Sequence, residues 1–289
     1  MKVSGFTIVR NAVKFDYPVK EAILSALPLC DEFIIAVGNS EDNTLELVKT
    51  IADPRIKIIE STWDDSLRVG GRVLAAETDK AMKNLSADAD WLLYIQADEV
   101  IPEDNYDELR RQMLLWKDDA NVEGLLFNYR HFYGTYDFVA SSRKWYRREV
   151  RIIKNIEGIH SWRDAQGFRR NGKHLQVKPT SAFIHHYGWV KPPELQQTKQ
   201  QHFHRLWHSD EWMKKNIGDA DSYDYSGIDI LERFNGKHPV VMQERIRNYH
   251  CDIPLKEGVK QMSIKNAFLY LIEKLTGIRL WEYKNYRKI

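Results

Sequence analysis

The sequence predicts an α/β fold: a mostly parallel sheet with helices on both faces, followed by a helical C-terminal region. Three observations predict it. Short β-branched runs alternate with longer helical patterns up to about residue 100, as in parallel strands joined by crossover helices. Four of these runs, Phe6 to Val9, Glu32 to Val37, Arg55 to Glu60 and Trp91 to Ile95, have the length of a buried strand. Beyond Pro192-Pro193 the chain becomes mainly helical and charged.

The intervening segments carry helical spacing. Pro18 to Leu27 places Val19, Ala22, Ile23 and Ala26 on one face, and Asn43 to Ile51 does the same with Leu45, Val48 and Ile51. Gly71 to Met82 supplies a third helix, and a fourth runs from Pro102 to about Trp116. Aromatic-rich strand candidates follow at Gly124 to Phe132 and Arg143 to Lys154, with another at Ser181 to Tyr187. These read as mixed or antiparallel sheet. No internal repeat, low-complexity tract or linker divides the chain, so one compact unit is expected, in three stretches: 1–105, 106–200 and 201–289.

The totals narrow the function. At 289 residues and 43% hydrophobic content the chain can bury a large core without disulfides. With 43 Lys and Arg against 41 acidic residues the net charge is +2, which gives no ground for nucleic-acid binding. A small-molecule partner is expected. Cys30 and Cys251 are the only cysteines, so no disulfide framework or cysteine zinc site is indicated, and a reducing, cytoplasmic setting is expected. Val3 to Val9 is too short and polar for the apolar part of a signal peptide, and charges interrupt every apolar run before it could span a membrane.

An open parallel sheet binds ligands beyond the carboxyl ends of its strands. Three such loops are polar: Arg10-Asn11, Gly38 to Thr44, and Gln96-Ala97-Asp98-Glu99. Carboxylates at the end of a buried strand require a compensating charge. A divalent cation carrying a diphosphate would supply it for Asp98 and Glu99; alternatively, these acids start the helix after Pro102. Asn39, Ser40 and Asp42 could meet a ribose or base, or Asp42 or Asn43 could cap the following helix.

These loops, in this order, resemble those of family 2 glycosyltransferases of the GT-A fold, a Rossmann-like architecture of the nucleotide-diphospho-sugar transferases. In such sequences a strand and an Asn precede a helix, and the second strand ends in an Asp-Gly-Ser-Thr-Asp-Gly-Thr-like turn, here Gly38-Asn39-Ser40-Glu41-Asp42-Asn43-Thr44. A later strand ends in Asp-x-Asp, here Gln96-Ala97-Asp98. The resemblance covers about residues 3 to 105, with two departures: Gly38 and Gln96 stand where Asp is usual. It implies that Asp98 binds a divalent metal, Mn²⁺ or Mg²⁺, and that Arg10, Asn11, Asn39, Ser40, Asp42 and Gln96 lie on the nucleotide sugar. A fainter resemblance at His185-His186-Tyr187-Gly188-Trp189-Val190 implies His186 as a second metal ligand and Lys199 as a contact of the diphosphate. Histidine tilts the metal towards manganese. The resemblance also implies a catalytic base after the core sheet, assigned to Asp164, with Glu157 as the competing choice.

The expectation is therefore a metal-dependent, inverting glycosyltransferase, with a nucleoside diphosphate sugar as donor and a glycan or lipid-linked acceptor. Residues 1–105 would form the nucleotide-sugar half, 106–200 the acceptor-side half and 201–289 a helical extension. A catalytically impaired sugar- or nucleotide-binding relative is the first alternative and a nucleotidyltransferase the second, although Arg10-Asn11-Ala12 lacks the glycines that hold a triphosphate. Aromatics between Phe127 and Trp162 offer one or two acceptor contacts. His202, His204 and His208 read as a solvated helix face. The basic, Trp- and Tyr-containing end from Phe268 to Ile289 suits either contact with an anionic membrane surface, peripheral to its inner face, or packing on its own domain.

Overall fold

A computed structural model describes residues 1–67, 69–216, 220–259 and 262–289. The N-terminal part alternates β1 (Val3–Val9), α1 (Val19–Ala26), β2 (Glu32–Gly38), α2 (Thr44–Lys49), β3 (Ile56–Ser61), α3 (Arg72–Met82) and β4 (Trp91–Tyr94). The strands are parallel in the order β3-β2-β1-β4. β2 shows why helices cover both faces. Phe33, Ile35 and Val37 enter a core shared with α1 and α2, whereas Ile34 and Ala36 enter a second core with Val73 and Ala81 of α3. Successive strand residues point to opposite faces, so a continuously apolar run needs cover on each. Each such Phe or Ile stabilises the fold by roughly 1.5–3 kcal/mol.

Past β4 the direction changes. β5 (Glu99–Val100) is followed by α4 (Tyr106–Trp116), β6 (Gly124–Tyr133), β7 (Thr135–Ala140) and β8 (Arg148–Lys154). β8 pairs antiparallel with both β4 and β6, extending the parallel half into a mixed sheet. β9 (Ile159–Trp162), β10 (Gly167–Arg170) and β11 (Lys173–His174) form a small separate sheet, and β12 (Gln176–Trp189) returns alongside β6. The architecture is the α/β arrangement that the sequence predicts, parallel in its N-terminal half with helices on both faces.

β1 begins at Val3 rather than Phe6 and α4 at Tyr106 rather than Pro102, and two later strands also differ from expectation. The strand anticipated from Arg143 begins at Arg148, because residues 142–145 turn, with Trp145 N–H donating to the Ser142 carbonyl. The strand anticipated at Ser181 to Tyr187 extends to fourteen residues as β12. After it come α5 (Pro193–Arg205), α6 (Asp210–Asn216), β13 (Ile230–Arg233), α7 (Gln243–Arg247), β14 (Gly258–Val259), α8 (Ile264–Thr276) and β15 (Arg287–Lys288). The C-terminal region is thus not purely helical: β13 and β14 continue the sheet beyond β7, and β15 joins β12. No helix among the described residues is long and apolar enough to cross a membrane.

Candidate active site

The short β5 strand assembles the site. It pairs antiparallel with β12, setting Glu99 against His186 and Val100 against His185, and the Tyr187 N–H donates to the Asp98 carbonyl at 2.8 Å. The two segments singled out in the sequence thereby become neighbours. β12 can pass this close only because residue 188 is glycine, since a Cβ there would lie 2.4 Å from Asp98 Oδ2.

Asp98 and Glu99 are adjacent in sequence and separate in role. Glu99 is fully buried and takes a two-point ion pair from Arg151, at 2.8 Å from Nε and 2.7 Å from Nη2, plus a hydrogen bond donated by the Tyr129 hydroxyl at 2.8 Å. It is a structural acid. The Asp98 side chain instead lines a cleft of about 530 Å³ at the carboxyl ends of β1 and β4. Lys199 Nζ stands 3.4 Å from Asp98 Oδ2 and donates to the Gly188 carbonyl at 2.8 Å. Burial pushes the Asp98 carboxyl up, but His186, Lys199 and Lys191 outweigh it and hold the group below the usual carboxylate range. Behind Lys199 lies a second buried ammonium, Lys191, over the same Tyr17 ring; burial and then the charge of Lys199 lower it to about 7.

His186 belongs to a relay that fixes its tautomer. His131, its partner in the β6·β12 register, has Nε2 2.7 Å from the Tyr146 carbonyl and Nδ1 3.2 Å from His186 Nδ1. Burial depresses both imidazoles, Asp98 opposing it at His186, and the pair in its neutral form has one consistent placement of hydrogens. A carbonyl only accepts, so His131 Nε2 carries the hydrogen and its Nδ1 accepts from His186 Nδ1. That leaves the lone pair of His186 on Nε2, 3.6 Å from Asp98 Oδ2. Asp98 and His186 thus present one oxygen and one nitrogen, oriented by hydrogen bonds as a cation site requires. No group of three or more His, Cys, Asp or Glu ligands occurs among the described residues, so a cation here would draw its other positions from phosphate oxygens and water.

Asp164 lines the same cleft. It sits on the turn between β9 and β10, flanked by Arg163 and Ala165 at φ 56° and 59°. Two consecutive-but-one left-handed residues are unusual outside glycine and aim the carboxylate inward. Burial raises its pKa above the usual aspartate value. Gln96 also lines the cleft, and its Nε2 donates to the Ala165 carbonyl at 3.3 Å, tying the end of β4 to the Asp164 turn. The competing acid, Glu157, is exposed and does not line the cleft.

Arg10 lines the cleft and pairs with Asp65 at 2.6 Å. The remaining four residues assigned to the nucleotide, Asn11, Asn39, Ser40 and Asp42, do not line it. Asn11 Oδ1 accepts from the Glu41 N–H at 2.8 Å, and Ser40 Oγ from the Asn11 N–H at 3.0 Å. Asp42 Oδ2 accepts from the Lys14 N–H at 2.6 Å, and Asn39 Oδ1 from the Trp63 N–H at 3.0 Å. Backbone donors without a helix or sheet partner need acceptors, and these oxygens fill that need between loops.

Trp63 and His131 were not singled out in the sequence, although both line the cleft. Trp63, after β3, packs on Gly38 so closely that a Cβ at 38 would meet its indole nitrogen at 2.3 Å, which explains why no Asp stands there. Its signal was position: it follows the one parallel strand whose carboxyl-end loop went unread. His131, Trp145 and Tyr146 also line the cleft, as do His202 and His204 of α5, so the face expected to be solvated turns partly inward.

No family model and no curated protein matches the chain. Among solved structures it is similar to TarS from S. aureus, at 14% identity and TM-score 0.38, covering 70% of this chain and 38% of that one. It is also similar to glucosyl-3-phosphoglycerate synthase from Mycobacterium tuberculosis in complex with Mn²⁺, UDP and phosphoglyceric acid, at 14% identity and TM-score 0.30, covering 46% and 43%. A third is 4-diphosphocytidyl-2C-methyl-D-erythritol synthase from Anaerococcus prevotii, at 12%, TM-score 0.38, covering 66% and 89%. These likenesses concern chain path alone.

Proposed function

We propose that the chain is a glycosyltransferase that moves a sugar from a nucleoside diphosphate donor to a hydroxyl of a glycan or lipid-linked acceptor, with inversion. The observation that carries this reading is the Asp98 carboxylate lining a cleft beside Lys199, with Asp164 lining the same cleft. Lys199 would meet the diphosphate and offset the charge that grows on it as the bond to the anomeric carbon breaks. Asp164 would accept the proton of the acceptor hydroxyl as its oxygen bonds to that carbon, and its raised pKa brings it nearer the working pH of a base. Asp98 and His186 would hold a divalent cation, Mn²⁺ before Mg²⁺, which when bound supplies further neutralisation of the leaving diphosphate. Arg10, whose guanidinium lies over the Trp63 indole, would meet the nucleotide. A nucleotidyltransferase is disfavoured by the loop after β1, which has no glycine to cradle a triphosphate.

The test is a panel of nucleotide sugars assayed for donor hydrolysis and transfer, with Mn²⁺ and with chelator. At least one donor is expected to turn over, and Asp98→Ala is expected to reduce that rate by about a thousandfold, as for loss of a preorganised charge contact. Undiminished turnover by the variant would remove the central assignment.

A further inference from the structure

A second groove, of about 880 Å³, shares no lining residue with the Asp98 cleft. Three elements line it. Glu123 and Gln176 stand at the starts of β6 and β12, whereas His131 and His186 of the cleft lie further along the same two strands. The β10–β11 hairpin contributes Arg170 and Lys173, and the C-terminal segment contributes Lys284, Arg287 and Lys288. That segment is built into the sheet rather than trailing from it. The Arg287 N–H donates to the Leu175 carbonyl at 2.8 Å and the Ile289 N–H to the Val177 carbonyl at 3.2 Å, Arg169 donates to the Asn285 carbonyl at 3.0 Å, and Tyr286 is buried in the second core.

The charges in this groove are unbalanced. Among the described residues Glu123 is the only acid lining it, and both its oxygens are taken, Oε1 by Arg170 at 2.9 Å and Oε2 by the Gln176 N–H at 2.8 Å. Lys173, Lys284, Arg287 and Lys288 are exposed and have no ion-pair partner among the described residues. Burial, and then the charge of Arg169, lowers the His174 imidazole, so it adds no charge at neutral pH. Four free cations thus gather in one concavity of a chain whose net charge is +2. Like charges held together repel unless an anion lies among them. A lysine on an edge strand also discourages pairing with another chain, which accounts for Lys288 but not for Lys173 and Lys284 on other elements. We infer that this groove binds a soluble anion carrying linked phosphate groups, whose oxygens Lys173, Lys284, Arg287 and Lys288 meet. A phosphate concentrates charge on several acceptor oxygens, and an arginine fork takes two of them at once. A lipid bilayer is disfavoured, because none of the exposed apolar residues of α8 lines the groove. Single-stranded nucleic acid is disfavoured too, because the one tyrosine lining it, Tyr286, is 6% exposed and leaves no ring face for a base. The inference does not rest on the transfer reaction.

The experiment is calorimetric titration of the full chain with inorganic tripolyphosphate, in chelator so that no bound cation contributes. Binding is expected, weakened roughly tenfold or more in Lys173→Gln/Lys284→Gln and unchanged in the cleft variant Lys199→Ala. It should also weaken as salt rises from about 0.05 to about 0.3 M. Both substituted lysines are exposed, so unchanged melting confirms that the variant is folded; Lys173→Gln alone gives the same test if the pair does not fold. Orthophosphate, an oligothymidylate and vesicles containing phosphatidylglycerol are titrated alongside. Absence of tripolyphosphate binding, binding that survives the paired substitution, or binding lost in Lys199→Ala would each overturn the inference. So would equal affinity for orthophosphate, or tighter binding of the oligothymidylate or the vesicles through the same lysines, which would make the partner nucleic acid or membrane.

Discussion

Two polar regions at the carboxyl ends of the parallel strands look alike in sequence and differ in what their side chains meet. In the loops after β1 and β2, Asn11, Ser40 and Asp42 direct oxygens at backbone N–H groups of one another's loops, and Asn39 directs its own at the Trp63 N–H in the loop after β3. At the mouth between β4 and β12, the polar atoms of Asp98, His186, Lys199 and Asp164 face the cleft. The difference teaches that a polar loop reports a demand for hydrogen bonds without saying whether chain or ligand meets it. The deciding variable is whether neighbouring loops leave backbone donors unpaired, which only the tertiary arrangement reveals.

The comparison is tested hardest on the cleft side. Asp164→Asn keeps the size of the side chain and removes its basicity, so kcat should fall by about a thousandfold while donor KM changes little. Because burial raises the Asp164 pKa, the wild-type rate should fall with decreasing pH through a midpoint above the ordinary aspartate value. The charged carboxylate is the active form, so activity is present above that midpoint and lost below it. A pH profile of kcat/KM flat across the acid range would separate Asp164 from the chemistry.

Glu99 tests the boundary between the two regions. It belongs to the same motif as Asp98, yet every contact it makes is internal. Glu99→Gln leaves the buried Arg151 without its counter-charge and should cost about 3 kcal/mol of stability, measured by denaturant unfolding. A loss below about 1 kcal/mol would mean that Arg151 finds another partner, and the division of labour between the two acids would fail.

The fold was more legible than the site, for a physical reason. Strand and helix periods are local, so Phe33 to Val37 and Val19 to Ala26 announce their elements unaided. Asp98, His186, Lys199, Asp164, Gln96 and Arg10 could be picked out by a resemblance that spans separate motifs, and the structure gathers them around one cleft. His131 could not, because its importance arises from facing His186 across two strands fifty-five residues apart. Trp63 could have been found by applying the strand-end rule to β3 as well as to the others. The strands β13, β14 and β15 stayed hidden because they are two to four residues long and take their stability from the edges they join.

The smallest effect bears on the loop side and completes the contrast. Asp42 Oδ1 accepts from the Thr44 N–H at 3.0 Å and Oδ2 from the Lys14 N–H, so this one carboxylate joins the start of α2 to the loop after β1. Asp42→Ala should therefore lower stability by about 1 kcal/mol, the usual net cost of a lost hydrogen bond, and leave donor KM within about twofold. Thermal unfolding and donor saturation curves measure the two quantities on the same preparation. The opposite result, intact melting with a donor KM raised tenfold, would place Asp42 on the nucleotide and dissolve the distinction between the loops that are knitted together and the mouth that is left open.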